Sequence, residues 1–331
     1  MKAVVVERFG GPEVLRYTEV AAPTPGPGEA LVRVKAAGVN FGDTVIRAGG
    51  ASLALEPPFI LGSEAAGVVE QLGPGVTSVA VGDRVAAPLF VGGRLHGAYA
   101  ELIAVDAGLL VPLPDSLSFE LAAALLLQGL TALWLLEHVP AAGRSVLIHA
   151  AAGGTGGLLV QLARRSGARQ IIATASSAEK LALARALGAD VGVDYTRAGW
   201  VDEVRAATGG RGPAVIYDPV GGEVRRRSLE LLAPRGTLVM YGNASGEGAG
   251  ALGEQELAGL SLKNQFVTGF SGWPLFEEPG LLARSYAQLF ELVTTGALQV
   301  RLGRRYALAD AAAAHQALAA RESAGKLVLI P

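Results

Sequence analysis

The stretch "SVLIHAAAGGTGGLLVQLARR", from Ser145, constrains the fold more than any other. Its opening is a short apolar run that reads as a strand, and its close has the pattern of a helix. The join is built of alanine and glycine with almost no side chains. The same grammar repeats downstream. "RQIIATA" leads to "SAEKLALARALG", "VGVDY" to "GWVDEVRAATGG" and "AVIYDPV" to "GEVRRRSLELLAPRG", and "TLVMYGN" follows. Strands alternating with helices over short loops predict βαβ units and a doubly wound parallel sheet, an α/β fold.

The first 115 residues or so read differently. Short β-branched runs such as "MKAVVVE", "EALVRVKAAGV" and "GAYAELIAV" are split by "PTPGPGE", "LGPGV" and "VGD". They predict a mostly antiparallel, barrel-like domain, with "NFGDTVIRAG" as its one helical candidate. At 331 residues the chain is long for one core, which again favours two domains. The last 60 residues hold two helical patterns and a closing strand, "KLVLIP", expected to return to the first domain. The expected division is residues 1–119 and 273–331 for the β-rich domain and 120–272 for the parallel-sheet domain.

A net charge of −2 gives no electrostatic case for nucleic acid or an anionic membrane. The absence of cysteine excludes disulfides, thiolate catalysis and cysteine-bound zinc, and fits a reducing, cytoplasmic setting. The N-terminus lacks the pattern of a signal peptide. "LAAALLLQGLTALWLL", from Leu121, is the nearest approach to a membrane span; Gln128, Gly129 and Thr131 interrupt it, and a buried helix is expected.

A glycine turn between strand and helix suits phosphate, because the helix N-terminus offers unpaired N–H groups and backbone must come close. Ala151, Gly153 and Gly156 follow the dinucleotide spacing, with alanine in first place. The alternative is a tight turn of any α/β protein. On the dinucleotide reading, Ala152, Gly153, Gly154, Thr155 and Gly156 are candidate cofactor contacts. No acid lies between Gly157 and Ala178, where an NAD-binding carboxylate is expected near Ala175. Ser176, Ser177 and Lys180 stand there instead and suit a 2′-phosphate, so the cofactor is read as NADP(H). Ser177 could equally cap the next helix, with Lys180 a solvated first-turn residue.

Several motifs in order now resemble one family, the zinc-independent quinone oxidoreductases of the medium-chain dehydrogenase/reductase superfamily, which includes zeta-crystallin. They are "GVNFGDTVIRAG", "PFILGSEAAGVV", "GDRV", "GAYAE", "GLTA", "HAAAGGTGG", "YDPVGG", "YGNASG" and "GKLVLIP", and the resemblance covers essentially the whole chain. It implies a GroES-like β-barrel catalytic domain, a Rossmann domain and an active site in the cleft between them. It also implies positioning roles for Asn40, Asp43 and Thr131, with Asn40 and Thr131 near the nicotinamide. Tyr195 and Lys180 would hold the 2′-phosphate end, Val220, Gly242 and Asn243 would lie along the cofactor, and Lys326 would come back over it. Tyr195 as strand-end packing and Asn243 as a turn residue remain the alternatives.

Zinc members of the superfamily carry cysteine and Gly-His-Glu where this chain has Asp43 and Gly62-Ser63-Glu64. Glu64 alone cannot hold a catalytic zinc, and the four histidines lack ligand spacing; His149 reads as packing. A metal-free reductase needs an acceptor that takes hydride readily, such as a quinone, and contributes positioning and desolvation. Bacterial relatives often carry tyrosines after the Asp and beyond the Arg of the first helix; here stand Val45 and "GGASLALEPP". Phe41 and Phe90 are the rings left, and core packing is the commoner role of each. Two other functions stay open: reduction of 2-enoyl thioesters or α,β-unsaturated carbonyls, and a structural or sensor role with NADPH bound and little turnover. "LSLKNQFVTGF" resembles the edge strand through which family members form homodimers.

Overall fold

The computed structural model describes residues 1–50, 55–247 and 253–331, apart from the Gln255 side chain. It divides into two compact units, Met1–Leu130 with Leu275–Pro331, and Thr131–Pro274. The division falls within a helix, eleven residues later than the expected 119/120 boundary, because the first half of that helix packs with the N-terminal unit.

The first unit contains strands β1 (Lys2–Val6), β2 (Leu15–Glu19), β3 (Glu29–Val39), β4 (Phe59–Ile60), β5 (Ala65–Leu72), β6 (Arg84–Ala87), β7 (Leu102–Asp106) and β8 (Val111–Pro112). Helix α1 spans Phe41–Arg47, and α2 starts in this unit and runs Phe119–His138. One sheet has the order β2-β1-β4. A larger one is centred on β3, which pairs antiparallel with β5 and β7. The alternation of buried and exposed residues over "LVRVK" fits one face packed on the core. The apolar run of α2 is long enough to cross a membrane by length and composition, its interruptions notwithstanding, and most of it is buried inside the protein.

The second unit is a parallel sheet in the order β11-β10-β9-β12-β13-β14. Its strands are β9 (Ser145–Ile148), β10 (Gln170–Ala175), β11 (Val191–Asp194), β12 (Val215–Asp218), β13 (Thr237–Met240) and β14 (Phe266–Gly269). The connecting helices are α3 (Gly154–Arg165), α4 (Ala178–Ala186), α5 (Trp200–Ala207), α6 (Gly222–Leu231) and α7 (Glu254–Lys263). The order turns back between β9 and β12, which is where open α/β sheets bind ligands at their strand ends. The strands are apolar on both faces because helices cover them; Val146, Leu147 and Ile148 of β9 are all wholly buried.

The chain then returns to the first unit through α8 (Leu281–Thr294), β15 (Leu302–Ala307), α9 (Ala311–Ala319) and β16 (Lys326–Ile330). β16 pairs antiparallel with β3, Leu327 opposite Val39. This register sets Lys326 beside the strand end from which Asn40 emerges.

Candidate functional site

Two groups of predicted residues assemble, one in each unit. In the first unit Asn40 is the N-cap of α1, with its own backbone extended. Asp43, three residues on, returns its carboxylate to the Asn40 N–H at 2.8 Å. "N-x-x-D" is therefore one half of a capping box, a signal readable from sequence. The Asn40 amide is not spent on its helix. Its Nδ2 donates to Glu64 Oε1 at 2.7 Å and its Oδ1 accepts from Lys326 Nζ at 2.6 Å. Lys326 Nζ also donates to Glu64 Oε1, and Glu64 Oε2 accepts from the Leu127 N–H of α2 at 2.9 Å. Asn40, Glu64 and Lys326 are 5%, 0% and 1% exposed. A buried carboxylate and ammonium are tolerable only because each meets the other and further polar partners. Gly38 of β3 makes room for this: a Cβ there would collide with Glu64 Oε1.

Asp43 is 1% exposed, and burial pushes its pKa up to about 7, against the pull of the Asn40 N–H, the Tyr99 hydroxyl and Lys326. Ser63 lies at the edge of the cluster, 3.5 Å from Asn40 Nδ2. The donor set does not fit a zinc ion. The Glu64 carboxylate is already taken by an ammonium, which would repel a divalent cation, and Ser63 replaces the imidazole. Among the described residues no three His, Cys, Asp or Glu side chains converge to hold a metal.

In the second unit, the turn after β9 carries Ala150 at φ 51°, and no side chain caps α3. Gly153, Gly154 and Thr155 are partly exposed there, whereas Ala152 and Gly156 are buried. Gly156 is a packing glycine: a Cβ would collide with the Ala150 carbonyl of the turn. Ala152 packs with Ala175 and Leu181 rather than facing solvent. What remains open is a helix N-terminus with accessible backbone N–H groups, which fits a pyrophosphate.

At the end of β10, Ser177 caps α4 by accepting from the Lys180 N–H at 3.3 Å. The capping alternative is thus present, and it is compatible with Ser176 and Lys180 lying at the same corner. Ala175 lies opposite Asp194 of β11, and the Tyr195 N–H donates to the Ala175 carbonyl at 3.3 Å. Tyr195 is therefore brought to the serines, and all four are partly exposed. Of the two carboxylates nearby, Asp194 is turned onto the N–H and Oγ1 of Thr196 at 3.0 and 2.7 Å, and Glu179 is an exposed first-turn residue of α4. The corner suits a phosphate monoester.

Val220, Gly242 and Asn243 sit on the loops after β12 and β13, which are joined by Ser245 N–H to Val220 O at 2.8 Å and Ala244 N–H to Pro219 O at 2.9 Å. Two residues that sequence reasoning missed hold these loops. Asp218 Oδ1 accepts from the Val220 N–H at 2.7 Å, and its Oδ2 meets Arg225 Nε at 2.7 Å. Arg225 Nη2 donates in turn to the Gly242 carbonyl at 2.7 Å. The arginine is 6% exposed. An acid at a strand end followed at i+7 by arginine is too loose a spacing to signal this. Thr131 lies in α2, partly exposed.

His149 has both ring nitrogens satisfied, by Thr174 Oγ1 and Ser228 Oγ, each at 2.8 Å, and burial pushes its pKa down to about 4. It is a packing residue, as expected. Phe90 is buried against Phe276, 5.8 Å between ring centres, but Phe41 is 38% exposed at the start of α1. The loop beyond Arg47 includes residues 51–54, which lie outside the described residues.

Comparison with known proteins agrees with this arrangement. Residues 26–115 match the family described as alcohol dehydrogenase GroES-like domain, and residues 154–276 that described as zinc-binding dehydrogenase. A quinone oxidoreductase of Pseudomonas aeruginosa is 42% identical, over 100% of this chain and 99% of its own. A 2-haloacrylate reductase of Burkholderia sp is 38% identical, covering 99% and 98%. The crystal structure of an Escherichia coli quinone oxidoreductase complexed with NADPH superposes with a TM-score of 0.92 at 35% identity, covering all of both chains. With that similarity running end to end, and both halves matched, this chain belongs to the quinone oxidoreductase family of the medium-chain dehydrogenase/reductase superfamily.

Proposed function

We propose that this chain is an NADPH-dependent quinone oxidoreductase that works without zinc. One observation carries the metal-free reading: Glu64 is neutralised by Lys326, an internal cation hydrogen-bonded to Asn40 as well. NADPH, when bound, supplies the hydride, from nicotinamide C4. The uncapped start of α3 at Gly154 and Thr155 holds the pyrophosphate by backbone N–H groups, with Ala152, Gly153 and Gly156 shaping the turn. Ser176, Ser177, Lys180 and Tyr195 hold the 2′-phosphate. Val220, Gly242 and Asn243 line the cofactor. Asn40, Asp43 and Thr131 position the reacting groups, Asn40 and Thr131 at the nicotinamide. Lys326, expected over the cofactor, is instead 1% exposed and spent on Glu64 and Asn40, so its role is through Asn40, whose amide it holds in one orientation. The protein's part is orientation and exclusion of water rather than acid catalysis.

A second reading, reduction of an activated C=C bond, is favoured by the 2-haloacrylate reductase among its relatives. Following reduced-nicotinamide absorbance with a benzoquinone, a naphthoquinone, a small enone, 2-chloroacrylate and a crotonyl thioester separates the two. NADPH loss fastest with the quinones is the expected result; fastest loss with the haloacrylate or thioester would move the function to C=C reduction. Binding without turnover on any of them would leave a sensor role. We also propose a cytoplasmic homodimer. β14 pairs only with β13 among the described strands, and Phe266 at its start and Leu262 nearby are 60% and 85% exposed. An apolar sheet edge of this kind needs a partner. Light scattering should give twice the chain mass of 33.8 kDa.

A further inference from the structure

Behind Asp43 runs a line of buried polar groups that the proposed reaction does not use. Tyr99 Oη donates to Asp43 Oδ2 at 2.9 Å. His315 Nε2 lies 3.2 Å from Tyr99 Oη, and Arg47 Nη1 lies 3.0 Å from His315 Nδ1. Tyr99 and His315 are wholly buried and Arg47 is 6% exposed. They come from the segment before β7, from α9 and from the end of α1.

The chemistry of the first member fixes the direction of every link. A guanidinium has no acceptor, so His315 Nδ1 must accept. Burial and Arg47 hold the imidazole neutral, far below its ordinary pKa at about 3, so its single proton is on Nε2. That proton goes to Tyr99 Oη, and the Tyr99 proton is left for Asp43. A one-way line of donors therefore runs from a fixed positive charge to a carboxylate that also accepts the Asn40 N–H.

We propose that Arg47, His315 and Tyr99 are positioning residues of the reductase: their relay holds Asp43 as a carboxylate against the Asn40 backbone, and so fixes the side chain that addresses the nicotinamide. The proposal rests on the reading of the reaction given above. Besides this relay, Asp43 faces Lys326 of β16, which favours the carboxylate, and Glu64, which opposes it.

Tyr99→Phe tests it, because it removes one hydroxyl and little else. If the relay sets the charge of Asp43, turnover should follow the ionised fraction of that residue. The rise of kcat/KM with pH should then move up by about one pH unit in the variant. That is a loss of about tenfold on the acid side and none at pH 9. His315→Leu should reproduce the shift. His315→Gln, whose amide can accept from Arg47 and donate to Tyr99, should restore it. An equal loss at every pH, or an unshifted profile in both Tyr99→Phe and His315→Leu, would overturn the proposal. If the wild type oxidises NADPH with no quinone, the reading of the reaction has failed and the relay is still testable. The Asp43 pKa is raised on folding, so its own contribution to stability is lost as pH rises from about 4 and levels off above about pH 7, against the opposite contributions of His149 and His315. In Tyr99→Phe the levelling should come about one unit higher; identical curves would sink the relay by themselves.

Discussion

The two candidate sites, one in each unit, are built in opposite ways. The proposed phosphate site is local and partly open: Gly153 to Thr155 lie where the turn after β9 enters α3, and Ser176, Ser177 and Lys180 are within five residues of each other. The Asn40 end is distant, side-chain-made and closed. Asn40 meets Lys326 across 286 residues and Glu64 across 24, and none of the three is more than 5% exposed. A phosphate carries its own charge and needs only donors at a helix end, so a pliable, solvated corner suffices. Positioning a ring for hydride transfer needs an amide that cannot turn, which a network of buried, mutually satisfied groups supplies.

The comparison breaks first at Lys326. Lys326→Met leaves Glu64 as an unpaired buried charge and should cost about 3–5 kcal/mol in urea unfolding. Adding Glu64→Gln should recover most of that stability without the activity. A smaller effect is expected at the open end, confined to function. Ser176→Asp sets a carboxylate against the 2′-phosphate and should lower kcat/KM for NADPH about a hundredfold, roughly 2.7 kcal/mol. The value for NADH should change less than about threefold and stability by about 0.5 kcal/mol at most. Equal losses with both cofactors would show that this corner does not meet the 2′ position. Gly156→Ala crowds the Ala150 carbonyl and should cost about 1–3 kcal/mol of stability, because backbone there must move.

The smallest effect sharpens the contrast through pH. His149, in the second unit, has its pKa depressed on folding to about 4 from 6.5, so its contribution is present above about pH 6.5 and lost as pH falls towards 4. Asp43, in the first unit, runs the other way and loses stability as pH rises towards 7. His149→Gln, which can still bond Thr174 and Ser228, should flatten the acid limb of the unfolding free energy and leave the neutral-to-alkaline limb alone.

What could be read from sequence follows the same division. Hydrophobic periodicity and glycine placement are short-range signals, so the parallel sheet, the β-rich first unit and the turn after β9 were legible in the residues themselves. So was the return of "KLVLIP" to the first unit, although its purpose, delivering Lys326 to Asn40 and Glu64, was not. The second half of α2 falls in the second unit because packing, not periodicity, sets a domain edge. Tyr99, His315, Arg47 and the Asp218–Arg225 pair left no pattern, since each bond joins residues whose spacing along the chain carries no period. Phe41 and Phe90 look alike in sequence, and only the neighbours of each decide that one is buried and the other exposed.

The pairing of β16 with β3 also sets a timetable for biosynthesis. The residues of the second unit are contiguous from Thr131 to Pro274, so that sheet can close while the ribosome is still at work. The first unit is discontinuous and must wait for β16. Asn40 is translated early, yet the ammonium that meets it arrives with Lys326, 286 residues later, and until then Glu64 must face water or remain uncompensated. Such a nascent chain can form the turn after β9 long before the Asn40 cluster is complete, and that cluster assembles only when β16 is drawn in.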